Sequence, residues 1–207
     1  MSHPFLAGFE LVLASQSPRR KQLLSAAGFP FRVRPANIPE VIAPGETACD
    51  YVVRLAAQKA RAVILDSHEG VLAADTTVVI EDANSFHVLE KPVDAADARR
   101  MLSLLSGRSH LVHTAVHFRW RSRDWSAIET SEVDFAPLTG TEIDTYVATG
   151  EPFDKAGAYG IQGFASRFVR GIRGCYFNIV GLPVHRVYRL FAEARVLRRD
   201  ESHAPAS

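Results

Sequence analysis

An α/β fold is what the 207-residue sequence predicts, and three observations carry that expectation. Apolar runs of strand length, such as Leu11-Val12-Leu13 and Val71 to Ile80, alternate along the chain with stretches of helical periodicity, such as Glu46 to Asp66. Two long alternating runs, Leu111 to Trp120 and Trp125 to Phe135, flank Arg121 to Asp124 and read as a hairpin. No internal repeat, low-complexity linker or break in composition divides the chain, and at 47% hydrophobic it can bury a substantial core as one domain or two tightly joined lobes.

Taken in order, Met1 to Phe9 is expected to be a loose extension and Glu10 to Ala14 the first strand. Ser17 suits a helix N-cap, because its hydroxyl can accept from a first-turn amide, and Pro18 suits the first helical position. That helix runs to Ala27 with Leu23, Leu24 and Ala27 on one side, and Gly28 stops it. Phe31 to Arg34 alternates as a half-exposed strand, and the Pro-rich stretch Ala36 to Gly45 is a loop. From Glu46 to about Asp66, Tyr51, Val52, Leu55, Ala56, Ala60, Val63 and Ile64 form one buried stripe of a long helix that also carries Lys59.

Val71 to Ile80 is a buried strand interrupted by Asp75; Glu81 to Asn84 turns the chain, and Phe86 to Leu89 returns beside it. Asp94 and Gly107 bracket a helix with Met101, Leu102, Leu104 and Leu105. After the hairpin, Thr139 and Glu142 have capping-box spacing for a helix ending near Gly150. Glu151 to Gly163 is then a thirteen-residue loop with three glycines and three charges. Its composition fits a functional loop or an ordinary surface connection. Phe168 to Ile172 is a strand, and Asn178 to Leu182 a turn or helix start. Pro183 starts the last helix, through Val187, Leu190, Phe191 and Val196, and Arg198 to Ser207 frays.

Composition excludes several classes of function. The 24 Lys and Arg nearly balance 23 Asp and Glu, so no overall positive field argues for nucleic acid or an anionic membrane. Cys49 and Cys175 lie far apart and outside CxxC spacing, which argues against a disulfide framework or zinc site and leaves two buried thiols in a reducing compartment. No signal-peptide pattern opens the chain and no run of about 18 apolar residues occurs, so the expectation is a soluble cytoplasmic protein.

The chemistry concentrates in a few residues. Ser15-Gln16-Ser17-Pro18-Arg19-Arg20 joins a strand to a helix N-terminus, where free amides, two hydroxyls and two guanidinium forks can meet one anion, as at a polyphosphate site. A capped helix with solvated arginines would use the same residues. Asp75, amid Val, Ala and Thr, costs several kcal/mol unless a cation or strong donors meet it. It either caps a strand end through neighbouring amides or serves a site beside Thr76 and Thr77, as metal ligand or as base toward a water. Glu40 is a candidate second carboxylate, and Lys59 and Lys91 are point charges suited to a triphosphate, unless each is merely solvated. The histidines form no HExxH; His113 and His117 face one side of a strand without obvious carboxylate company and receive no catalytic role. The absence of GxxxxGK[ST] and of GxGxxG after a strand argues against P-loop and dinucleotide folds.

Four ordered motifs, Ser15 to Arg20, Ala74-Asp75-Thr76, Glu90-Lys91-Pro92 and Glu151 to Gly163, closely resemble those of the Maf family of nucleoside triphosphate pyrophosphatases, from about Glu10 to Phe191. The resemblance implies an elongated mixed sheet wrapped by helices, with a nucleotide cleft between two lobes. One such domain would span residues 10–197 between flexible ends at 1–9 and 198–207. It implies hydrolysis between the α and β phosphates with a divalent cation, Mg or Mn. Asp75 would be proton acceptor or metal ligand, Glu40 a metal partner, and Lys59 and Lys91 phosphate holders. Ser15, Ser17, Arg19, Arg20, Thr76 and Gln162 would bind substrate. Arg19, Thr76 and Gln162 resemble the dTTP/UTP subgroup; relatives acting on 7-methyl-GTP read Trp and Glu at the first and last of these. A Gln amide donates and accepts, matching O4 and N3-H of uracil or thymine, whereas Glu only accepts. Gln16, often Gly in the family, and the longer Glu81 to Ser85 turn depart from the pattern. The nucleoside triphosphate is the expected partner, without nucleic acid or membrane, and a homodimer is left open. Two rival expectations are a purine or modified-nucleotide substrate on the same fold, and a non-catalytic nucleotide-binding regulator, for instance of septation.

Overall fold

The computed structural model of the chain describes residue 6 and residues 8–82 and 85–197. Strands β1 (Glu10–Leu13) and β2 (Arg32–Val33) flank helix α1 (Pro18–Ala26), and helix α2 (Ala48–Ala62) leads to the 14-residue strand β3 (Glu69–Asp82). There follow β4 (Ser85–Leu89), α3 (Ala95–Leu105), the hairpin β5 (Ser109–Trp120) and β6 (Arg123–Phe135), α4 (Gly140–Ala148), three short 3-10 turns, β7 (Val169–Arg173), α5 (Tyr176–Val180) and α6 (Val184–Glu193). Local chemistry fixes several starts. Ser17, Thr47 and Asp94 accept from first-turn amides, and Thr139 and Glu142 complete a reciprocal capping box.

One mixed sheet of order β2-β1-β3-β5-β6-β7 organises the chain. β1 runs parallel to the first part of β3, pairing Glu10 with Glu69 through Leu13 with Leu72, whereas β4 runs antiparallel to its far part, from Val78 to Asp82. Along that edge, residues 73–77 of β3 have no neighbouring strand among the described residues. A break in an otherwise paired edge frees backbone and side chains for a ligand, and Asp75 stands in it.

The pleat sends alternate residues of β3 to opposite faces. Val71 and Ala73 pack with Val12, Ala14 and Ala60 beneath α2, while Leu72 and Ala74 pack with Leu13, Leu24, Leu190 and Phe191 beneath α1 and α6. Beyond the break, Val78 and Ile80 join a separate core with α3, α4, Tyr159 and Phe168. The expected mixed sheet, helical wrapping and pair of lobes are therefore observed, with β3 running through both.

Several elements differ from expectation for physical reasons. α2 ends at Ala62, because Val63 is extended and carbonyls beyond the helix are captured by Arg119 and Arg34; Ile64, expected in the buried stripe, is 87% exposed. The hairpin turn tightens to Arg121-Ser122, with Arg121 left-handed at φ 55° and its guanidinium over the Trp120 ring. Val196 is buried beyond the end of α6. Leu6 and Phe9, expected in a loose extension, pack: Leu6 bridges Leu197, and Phe9 sits against Phe118 and Trp120. The expected fraying of residues 198–207 and the centre of the Glu81 to Ser85 turn lie outside the described residues. Cys49 is exposed and Cys175 half-buried, not the two buried thiols expected. Among the described residues no helix is long and apolar enough to cross a membrane.

Candidate active site

The break in the β3 edge opens into a cleft of about 680 Å³, a volume suited to a small organic ligand. Every residue singled out from the sequence lines it: Ser15, Ser17, Arg19 and Arg20 from the β1–α1 loop and helix start, Glu40 from the Pro-rich loop, Lys59 from α2, Asp75 and Thr76 from β3, Lys91 after β4, and Gln162 from the 151–163 loop.

On the α2 face, Lys59 Nζ lies 2.5 Å from Asp75 Oδ1 and 2.6 Å from Glu40 Oε1. Only 10% of the Lys59 side chain and 8% of the Asp75 side chain are exposed, so this is a buried ion pair with a half-exposed third member. Burial pushes the Asp75 carboxyl above the usual carboxylate range, against the pull of Lys59 and Arg20. For Glu40, burial acts in the same direction, but the Lys59 hydrogen bond and the charges of Lys59, Lys91 and Arg20 outweigh it and its carboxyl titrates low. Asp75 Oδ2 has no hydrogen-bond partner among the described residues.

On the opposite face, the Arg20 guanidinium donates to Gly181 O at 2.8 Å, Thr76 Oγ1 at 3.0 Å and Ser15 Oγ at 3.4 Å. Burial lowers its pKa, countered by Asp75. Thr76 in turn bonds Thr114, which donates to Asn178 O, and fully buried Asn178 donates to Val112 O and Ser131 Oγ. A polar chain thus runs from the cleft through the sheet to α5, fixing the Arg20 fork.

The far wall is the 151–163 loop, folded as one-turn 3-10 helices at Glu151–Asp154 and Ala156–Ala158 and not as an ordinary surface connection. It seats on β3 because Gly157 comes so close to Val78 that a Cβ there would lie 2.9 Å from Val78 Cγ2, and Gly157 N donates to Glu90 O. Asp154 reaches back across the cleft to Arg19 at 3.0 Å, and Lys155 pairs with the same carboxylate.

Lining residues without a role from sequence include Tyr51, Glu90, Asp154 and Lys155. Tyr51 fits the buried stripe of α2, yet its hydroxyl donates to Glu90 Oε1 inside the cleft. Glu90, Asp154 and Lys155 stood within the quoted motifs, and their charge flanking Lys91 or clustered between glycines was the available signal. His113 and His117 do not line the cleft; they are buried against Thr130 and Ser126, and His117 does have a carboxylate near it, Asp124 at 3.6 Å.

No cluster of three or more His, Cys, Asp or Glu side chains suited to a metal occurs among the described residues. The Asp75 and Glu40 pair fits a hard cation that takes one or two protein carboxylates and fills its remaining positions with water and phosphate. Their common contact with the Lys59 ammonium marks a point where both already meet positive charge.

The Maf-like protein family model matches residues 10–194. The dTTP/UTP pyrophosphatase of Koribacter versatilis (strain Ellin345) is 51% identical over 191 residues, 92% of this chain and 97% of that protein. That of Anaeromyxobacter sp. (strain Fw109-5) is 52% identical over 191 residues, 90% of each chain. The one from Bacillus cytotoxicus is 43% identical over 195 residues, 94% of this chain and 99% of that protein.

Proposed function

The chain belongs to the family of Maf-like proteins, and from that premise we propose that it hydrolyses dTTP and UTP to the monophosphate and pyrophosphate. The observation that carries the reading is the convergence in one cleft of a buried Asp75–Lys59–Glu40 cluster, the Arg20 fork and Gln162. It acts in the cytoplasm on free nucleotides.

Arg19, Arg20 and Lys91 bind the phosphates and offset the charge that gathers on the leaving pyrophosphate. Ser15 and Ser17 supply hydroxyl contacts at the helix start, and Thr76 orients Arg20. Water attacks the α-phosphorus; its oxygen forms the new P–O bond, the bond to the αβ-bridging oxygen breaks, and Asp75 takes the water's proton at Oδ2. A carboxyl that binds protons more tightly than usual is suited to that role. Lys59 holds Asp75 in place and adds positive charge beside the phosphates. Asp75 and Glu40 would hold a divalent ion, Mg or Mn, which when bound polarises phosphoryl oxygens and acidifies water. Gln162 reads the O4 and N3-H edge of the base.

Hydrolysis of a panel of nucleoside triphosphates in ¹⁸O-water tests this. Preferential release of pyrophosphate from UTP and dTTP, with ¹⁸O in the monophosphate, is expected. Label in pyrophosphate would move the attack to the β-phosphorus, a purine preference would reassign the base pocket, and tight nucleotide binding without pyrophosphate release would make the protein a regulator.

A further inference from the structure

The Glu151 carboxylate does none of the tasks assigned above, yet it sits at the centre of a closed set of contacts. Its Oε2 accepts from the Phe164 backbone N–H at 2.9 Å, and its Oε1 accepts from Tyr146 OH at 3.0 Å. The Tyr146 hydroxyl, in turn, accepts from Gly160 N at 3.2 Å. Gly163 N donates to Gly160 O at 3.1 Å, closing a turn around Ile161 and Gln162. The two amides that bracket this turn, at Gly160 and Phe164, are therefore tied to one carboxylate, the first through Tyr146 and the second directly.

Space tells the same story. A Cβ on Gly163 would fall 2.4 Å from Glu151 Oε1, and one on Gly160 would fall 2.6 Å from Lys155 Cε, so both positions admit only glycine while Glu151 and Lys155 hold their places. Lys155 Nζ donates to Glu151 O at 2.6 Å, and the Phe164 ring stacks on Tyr146 at 5.5 Å between centroids. Gln162 itself is exposed to the cleft. An exposed amide reads a base edge well only if its backbone is held, because positioning errors of a fraction of an ångström weaken a hydrogen bond steeply.

We propose that Glu151, working through Tyr146 and the Phe164 amide, is a positioning residue that clamps the Gly160–Gly163 turn and so sets the selectivity of Gln162 for a uracil or thymine edge. The clamp rests on the reading of Gln162 as the base contact. A carboxylate suits the post because it only accepts, and both groups that face it donate. In Glu151→Gln one acceptor oxygen becomes an NH2 that cannot accept from the donor facing it, and Tyr146→Phe removes the relay while keeping the ring stack.

Two measurements test the clamp. Amide hydrogen exchange of the ligand-free protein reads the turn directly: Glu151→Gln is expected to speed exchange at Gly160 and Phe164 by about tenfold or more, as for a lost charge-assisted hydrogen bond. Steady-state kinetics read its purpose. Glu151→Gln and Tyr146→Phe are each expected to raise KM for UTP about tenfold and to shrink the UTP to CTP preference. Each should leave kcat within about threefold, and inhibition by tripolyphosphate, which lacks a base, unchanged. The double variant should be little worse than Glu151→Gln alone, since that substitution already breaks the tie that runs through Tyr146. Unchanged exchange at the two amides overturns the clamp. A fall in kcat with constant KM and constant preference overturns its role in base selection and assigns Glu151 to the chemistry. If the wild-type protein shows no pyrimidine preference while exchange still responds to Glu151→Gln, the substrate reading fails and the clamp stands.

Discussion

Lys59 and Asp75, sixteen positions apart in sequence, meet at 2.5 Å beneath the broken edge of β3, and Lys59 also touches Glu40 at 2.6 Å. One ammonium therefore compensates two carboxylates, which makes the partners unequal. Lys59→Met removes the cation that contacts both and leaves an uncompensated buried Asp75, so a loss of about 3 kcal/mol is expected in urea unfolding. Asp75→Asn leaves the Lys59–Glu40 contact in place, so the buried ammonium keeps a carboxylate partner and the variant should unfold within about 1 kcal/mol of the parent. Equal losses for the two variants would mean that the pair, and not the three-membered cluster, governs stability here.

Gly157 determines how the 151–163 loop seats on the sheet. It is left-handed at φ 70°, and a Cβ would press on Val78. Gly157→Ala should cost about 2–4 kcal/mol from backbone strain and overpacking together. Adding Val78→Ala should recover part of it. Thermal melts of the two single variants and the double variant check this, and strict additivity would mean the contact is unimportant.

His110 gives the fold an acid-sensitive point. Burial pushes its imidazole down to about 4, while Nε2 pairs with the Tyr159 hydroxyl and Nδ1 has no hydrogen-bond partner among the described residues. The unfolded chain takes up this proton near pH 6.5 and the folded one only near 4, so the contribution of His110 to stability is full above pH 6.5 and declines as pH falls toward 4. The decline amounts to about 3 kcal/mol. Denaturant midpoints between pH 7.5 and 4.5 should therefore fall less steeply for His110→Gln than for the parent. Identical slopes would show that other groups carry the acid sensitivity.

Gln162 is expected to set base preference. Gln162→Glu replaces a donor-acceptor amide with an acceptor-only carboxylate, so KM for UTP and dTTP should rise about tenfold or more. GTP analogues with donor-rich edges should gain relative to them. Competition assays with paired nucleotides measure the ratio, and an unaltered ratio would remove Gln162 from base recognition.

Much of this was legible in the sequence because the signals were local. The capping box at Thr139 and Glu142, the cap at Ser17 and the apolar stripe on α2 depend on residues a few positions apart. Asp75 stood out because a charge in a Val- and Ala-rich strand demands a partner, although the sequence could not say that Lys59 supplies it. What could not be read is long-range. Arg119 of β5 and Arg34 just beyond β2 capture the carbonyls past the end of α2, and Leu197 pairs with Leu6. Tyr51 satisfies the helical stripe whether or not its hydroxyl finds Glu90. Asn178 in a mostly apolar segment gives no hint of the hydrogen bonds that tie α5 to Val112 and Ser131. The break in the β3 edge is likewise a property of where β1 stops and β4 begins, and no single stretch encodes it.

The proposed mechanism turns on Asp75 as the group that takes the proton when UTP or dTTP is split. Single-turnover hydrolysis of UTP by the parent protein and by Asp75→Asn, with and without magnesium, measures it most directly. A fall of at least a thousandfold in UMP release, roughly 4 kcal/mol of barrier, with UTP binding and unfolding midpoint retained, is the predicted result. Release of UMP and pyrophosphate by Asp75→Asn at near the parent rate would contradict it.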